Sequence, residues 1–164
     1  MVKQILQMKN FDQKIITNSY KETEELGKLL SQSFKAGDVV CLYGELGSGK
    51  TTFTKGVARG LGVKNRIISP TFILMRRYSL NAKDQRLTPI DSVSKIKNLY
   101  HIDLYRLESQ DIKGLDLEEI MQDKSGVVLI EWPEKIKDFL PGKRWEISFK
   151  ILDENLRKIL IEKL

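Results

Sequence analysis

The sequence predicts an α/β fold with a mostly parallel sheet flanked by helices and an antiparallel C-terminal hairpin at one edge. Three observations predict it. Val39 to Tyr43 and Val127 to Ile130 are short continuous apolar runs, the pattern of strands buried on both faces of a parallel sheet. Helical periodicity brackets the first run, with Leu26, Leu29, Leu30 and Phe34 before it and Phe53, Val57 and Leu61 after it. Trp145, Ile147, Phe149 and Ile151 alternate, and Leu156 to Glu162 offers a partner strand across Asp153-Glu154-Asn155.

Each element has a local reason. Ser19-Tyr20-Lys21-Glu22 matches a capping box, with Ser19 at the N-cap and Glu22 reaching back, so a helix starts there and ends near Ala36-Gly37. The second helix stops at Gly60 and Gly62. From Ile67 through Tyr78 the chain reads as extended, interrupted at Ser69-Pro70-Thr71 because a proline pushes the residue before it away from helix. Tyr100 to Tyr105 alternates, with Tyr100, Ile102 and Leu104 on one face and His101, Asp103 and Tyr105 on the other. Gly114 to Gln122 reads as a short helix.

At 164 residues the chain fits a single domain over residues 1–164, in which 81–97 reads as a flexible basic insertion. With 41% hydrophobic and 30% charged residues, it is neither a disordered chain nor a collagen. One cysteine, Cys41, makes no intrachain disulfide and is expected to be a buried spectator thiol. No apolar run approaches the roughly 20 residues that span a bilayer, and Met1 to Asn10 has no sustained apolar stretch of the secretory type, so a cytoplasmic protein without a membrane partner is expected. The net charge is +6, and the segment from Lys64 to Lys97 alone carries eight basic residues against Asp84 and Asp91. Such an edge suits a phosphate backbone, an acidic protein, or simply solvent.

The chemistry is concentrated in Gly44-Glu45-Leu46-Gly47-Ser48-Gly49-Lys50-Thr51-Thr52, which fits G-x-x-x-x-G-K-[ST] between a buried strand and a helix. Glycines let backbone N–H groups converge on phosphate oxygens, and the helix N-terminus adds its positive dipole end. The fold class is thereby P-loop NTPase-like. Lys50 would reach the β- and γ-phosphates, Thr51 would hold Mg²⁺ through its hydroxyl, and Thr52 would contact the α-phosphate. Hydrolysis also needs an acid at the carboxyl ends of the strands. Glu131 follows the second apolar run, and Asp103 lies in the alternating strand, placed to act on the metal's water shell or the attacking water. His101 is read as a structural hydrogen-bonding residue, and Trp132 packs either beside the site or in the ordinary core. Ser69 and Thr71 are switch candidates for reading the γ-phosphate. No Asn-Lys-x-Asp segment occurs, which favours adenine over guanine.

The phosphate loop, Ser69-Pro70-Thr71-Phe72, Tyr100-His101-Ile102-Asp103-Leu104-Tyr105-Arg106 and Leu129-Ile130-Glu131-Trp132, in that order, resemble the TsaE (YjeE) family of bacterial P-loop ATPases, from about Ile15 to Ile161. The resemblance implies a Mg²⁺-dependent ATPase that supports threonylcarbamoylation of the tRNA adenosine beside the anticodon. It implies a TsaB–TsaD heterodimer as partner, slow turnover without it, and tRNA reached through that complex. Carried over by motif, Glu45 to Thr52 bind ATP, Thr51 and Glu131 bind Mg²⁺, Lys50 and Asp103 serve hydrolysis, Thr71 belongs to a switch-like segment, and Asn18 and Ser19 match the part near adenine. No clear arginine finger is visible. A small-molecule kinase using Arg76, Arg77 and Arg86 as a phosphate clamp, a nucleotide-gated binding module and a plain RNA-binding domain remain as competing readings.

Overall fold

The computed structural model describes residues 13–65, 67–70, 73–80, 95–107 and 116–164. Seven strands, β1 (Gln13–Thr17), β2 (Val39–Tyr43), β3 (Met75–Ser79), β4 (Asn98–Asp103), β5 (Gly126–Glu131), β6 (Trp145–Ile151) and β7 (Arg157–Lys163), form one sheet in the order β1-β7-β6-β2-β5-β4-β3. The four central strands β6, β2, β5 and β4 are parallel, and antiparallel pairings add β7 and β1 on one side and β3 on the other. The α/β fold expected from the sequence is therefore present, its mostly parallel sheet realised as a mixed one with a parallel centre, and the C-terminal hairpin β6–β7 lies towards one end. The outermost strand there is β1, which the apolar pattern did not announce because only Ile15 and Thr17 of its five residues are buried.

Helices α1 (Tyr20–Leu30) and α2 (Lys50–Gly60) cover one face of the sheet. Their contact surrounds Phe34, Phe53, Leu129, Trp145 and Ile147, and they approach so closely that a Cβ on Gly56 would lie inside the carbonyl oxygen of Glu24. The short helix α3 (Leu117–Met121) and a 3-10 segment, Pro133–Phe139, cover Val39, Cys41, Ile102, Val128 and Ile130 on the other face. Burial pushes the Cys41 thiol up to about 12, as befits an inert core residue.

Several boundaries differ from the sequence reading for local reasons. Helix α1 ends at Leu30 and tightens into a 3-10 turn, Ser31–Ser33, well before Ala36. Its cap is also shifted: Glu22 N–H donates to Ser19 Oγ at 3.2 Å, but the Glu22 carboxylate accepts from the Asn18 backbone at 2.9 Å, one residue further back than a capping box. Strand β4 starts at Asn98 and ends at Asp103, so Leu104 and Tyr105 lie beyond it. All six of its residues are buried, because it lies between β3 and β5 with side chains packed on both faces. The basic insertion lies outside the described residues from 81 to 94. Its last part does not: Ile96 is fully buried, and Lys97 N–H donates to Ser125 O at 2.7 Å, leading directly into β4.

Candidate active site

Parallel pairing brings three strand ends to one place. Leu42 of β2 stands beside Glu131 of β5, and Glu131 beside Asp103 of β4, so the carboxyl ends of neighbouring strands converge where β2 runs into the glycine-rich loop. The loop needs glycine at its entrance. Gly44 has φ 139°, and a Cβ there would fall 2.6 Å from Phe149 O. At its exit, Gly49 forms the N-cap of α2, and Lys50 is the first residue of the helix.

A cleft of about 430 Å³ opens between these ends, lined by Leu46 to Thr52, Ser69, Asp103, Tyr105, Arg106, Glu131 and Trp132. Lys50 is only 4% exposed. Its Nζ donates to Gly44 O at 2.6 Å and Glu45 O at 2.9 Å and lies 4.2 Å from the centre of the Trp132 ring. Burial pushes the Lys50 ammonium below its usual range, with Glu131 and Asp103 pulling the other way. Trp132 reaches this position because its backbone is left-handed (φ 62°, ψ 47°), turning the chain sharply at the end of β5. For a non-glycine residue that conformation costs about 1–3 kcal/mol, a strain that gathers at functional sites.

Across the cleft, Thr51 Oγ1 donates to both Glu131 oxygens, at 3.0 and 3.1 Å. His101 Nε2 lies 2.8 Å from Glu131 Oε1, with both side chains buried, and among the described residues His101 Nδ1 has no hydrogen-bond partner. Ser69 Oγ donates to Asp103 Oδ2 at 3.0 Å, and Tyr105 N–H donates to Oδ1 at the same distance. Both acids are therefore held by neighbours and aimed at the loop. Ser48, 1% exposed, has no hydrogen-bond partner for its hydroxyl among the described residues.

The structure thus gathers Leu46, Gly47, Ser48, Gly49, Lys50, Thr51, Thr52, Ser69, Asp103, Glu131 and Trp132 at one cleft, and Glu45 joins through its carbonyl on Lys50. Thr71 lies outside the described residues. Asn18 and Ser19 are occupied in capping α1. A smaller cleft of about 90 Å³ beyond Gly47, Gly49 and Thr52 is instead lined by Tyr20, Thr23, Glu154, Asn155 and Arg157. Arg157 Nη2 donates to Gly47 O at 3.3 Å, tying the β6–β7 turn to the loop. Sequence reasoning missed Tyr105 and Arg106 as lining residues, although they follow Asp103 directly. It also left His101 without a site role, and the register beside Leu129 and Glu131 supplies the reason it sits there. Of the candidate phosphate clamp, Arg77 does not line the cleft; it donates twice to Asn98 Oδ1, at 3.0 and 3.1 Å.

A mixed sheet that delivers a glycine-rich strand-to-helix turn, a buried lysine and two held carboxylates to one cleft defines an α/β protein of the phosphate-loop type. Comparison with known proteins narrows this class. The family model described as "Threonylcarbamoyl adenosine biosynthesis protein TsaE" matches residues 17–159, and the chain belongs to that family. It is 37% identical over 139 residues to the tRNA threonylcarbamoyladenosine biosynthesis protein TsaE of Bacillus subtilis, covering 85% of this chain and 78% of that one. The protein of the same name from Rickettsia typhi is 40% identical over 148 residues, covering 89% and 92%. The crystal structure of Bacillus subtilis YdiB superimposes with a TM-score of 0.71 at 34% identity, covering 94% of this chain and 88% of that one.

Proposed function

We propose that the protein is a Mg²⁺-dependent ATPase that supports formation of threonylcarbamoyladenosine in tRNA, working with a TsaB–TsaD heterodimer. Family membership supports the pathway. The observation that carries the chemistry is the line from Lys50, buried at the start of α2, to Thr51 and Glu131 across the cleft.

The residues fit a nucleotide and its metal. Among the described residues Ser48 Oγ is an unspent polar atom in the loop wall, and Lys50 Nζ meets only the loop's own carbonyls and the Trp132 ring, contacts that phosphate oxygens can replace. Thr51 and Glu131 offer oxygen donors, the class Mg²⁺ prefers. Among the described residues no group of three or more His, Cys, Asp or Glu side chains stands ready to hold a metal. One carboxylate and one hydroxyl, completed by phosphates and water, is the usual arrangement for Mg²⁺ with a nucleotide. When bound, the metal ion neutralises charge that develops on the phosphates.

In this reading the backbone N–H groups from Leu46 to Thr51 and the Lys50 ammonium bind and orient the polyphosphate, and Thr51 with Glu131 hold the metal. Asp103, fixed by Ser69 and Tyr105 N–H, accepts a hydrogen bond from the attacking water and points it at the γ-phosphate. Catalysis rests on positioning and charge stabilisation, and Arg106 contributes a guanidinium to the cleft wall. Wild type and Lys50→Ala compared by calorimetry with ATP and Mg²⁺ test the reading. A loss of about 100-fold in affinity is expected, from charge-assisted bonds worth about 1.5–3 kcal/mol each. Unchanged affinity sinks it. Phosphate release should rise when the TsaB–TsaD heterodimer is added, and equal rates would remove the partner from the proposal.

A further inference from the structure

Among the described residues the outer face of β1, β7 and β6 is open. Pairing puts Lys14 opposite Leu160, and Leu160 opposite Ser148; in the next row Ile16 faces Lys158, and Lys158 faces Lys150. The intervening residues Ile15, Ile159 and Phe149 take the core side under α1 and α2. Ile16 and Leu160 are 36% and 37% exposed, and among the described residues no helix covers them.

The charge on this face is arranged against the sheet's own stability. Lys150 and Lys158 stand directly opposite each other, a like-charge pairing that destabilises an antiparallel ladder, and Lys14 sits on the diagonal from Lys158. Among the described residues none of the three makes a salt bridge. Glu146 and Glu162 could neutralise lysines in an alternating arrangement, yet they too face each other, with Glu146 held by Arg144 and Tyr43. Lysine on an edge strand discourages unwanted pairing, which accounts for Lys14 on β1. It does not account for Lys150 and Lys158, whose strands have neighbours on both sides.

We propose that this face docks the phosphate backbone of an RNA stem, with the ammonium groups of Lys14, Lys158 and Lys150 on the phosphates. Lysines are point charges suited to phosphate and are depleted at the centres of protein–protein interfaces. The outward positions named on the three strands carry no aromatic ring, so the face suits a helical backbone recognised by shape and charge rather than splayed bases that need stacking. The relatives compared above are named for a tRNA modification, which makes RNA the polyanion at hand. The inference rests on family membership and on register, and does not require that the protein hydrolyse ATP.

Fluorescence anisotropy of a labelled RNA hairpin, titrated with the full chain at two salt concentrations, tests it. Wild type should bind with a salt-dependent affinity. The triple variant Lys14→Gln/Lys150→Gln/Lys158→Gln should bind at least 10-fold more weakly, with a log–log salt slope flatter by about three, one for each phosphate contact removed. Lys150→Glu, which exchanges the like-charge pair for an opposite one, should raise the melting temperature while weakening RNA binding. A Lys150→Glu protein that melts higher but binds RNA as wild type does would show a merely solvated face and overturn the proposal. So would equal losses from Lys55→Gln/Lys64→Gln, which lie elsewhere, or retention of an acidic peptide with no affinity for RNA.

Discussion

Strands β2, β5 and β4 are buried on both faces, whereas among the described residues β1, β7 and β6 are covered on one, and polar residues mean different things in the two regions. A charged or imidazole side chain in the central strands gives up water on every side and survives only with partners. His101, Asp103 and Glu131 are such residues, and each points at the loop or holds another that does. In the flank, polar residues alternate outward as a half-wet antiparallel sheet permits, so only their pairing, and not their presence, carries information. The contrast teaches that burial locates the chemistry of this protein and register locates its charged outer surface.

The comparison is sharpened first by truncating its dry side. Leu129→Ala removes a fully buried side chain of β5 and should lower stability by about 2–5 kcal/mol in a denaturant titration. Next is the buried polar set. His101→Leu leaves Glu131 without one of its hydrogen-bond partners and should weaken Mn²⁺ binding about 10-fold by electron paramagnetic resonance. His101→Gln should recover part of this, and metal-free nucleotide affinity should not change; equal loss in both variants would make His101 only a packing residue. A smaller effect is expected at the mouth of β4. Burial works to raise the Asp123 carboxyl, but hydrogen bonds from Ser125, Tyr100 and Asn98 outweigh it and hold it at about 2. Because the folded value lies below the ordinary one, its stabilisation is present above about pH 4 and lost as pH falls through about 2. The melting-temperature gap between wild type and Asp123→Asn should therefore close over that window. Smallest of all, Leu160→Ala on the open face should stay within about 0.5 kcal/mol of wild type.

Much of the central region was legible because its signals are local. A glycine loop, the lysine after it and the acid that ends an apolar run are contiguous patterns, and Lys50, Thr51 and Glu131 line one cleft. His101 was read as a structural hydrogen-bonding residue but not tied to Glu131, because that partner is 30 residues away and only β4–β5 register brings the two within 2.8 Å. Asn18 and Ser19 were drawn towards the nucleotide by position, while the folded helix start uses both for capping. Strand β1 escaped because half-buried residues in an outer strand produce too short an alternation to be seen.

By itself the sequence determined the α/β class, the glycine-rich strand–loop–helix and the acids at the ends of the strands beside it, since hydrophobic period and glycine placement act within a few residues. Tertiary structure alone decided that β1 closes the sheet, that Trp132 turns back over Lys50, and that Lys150 faces Lys158. Those outcomes depend on which strands become neighbours and in what register, and hydrogen-bonded pairing between distant segments leaves no trace in the order of residues along either one.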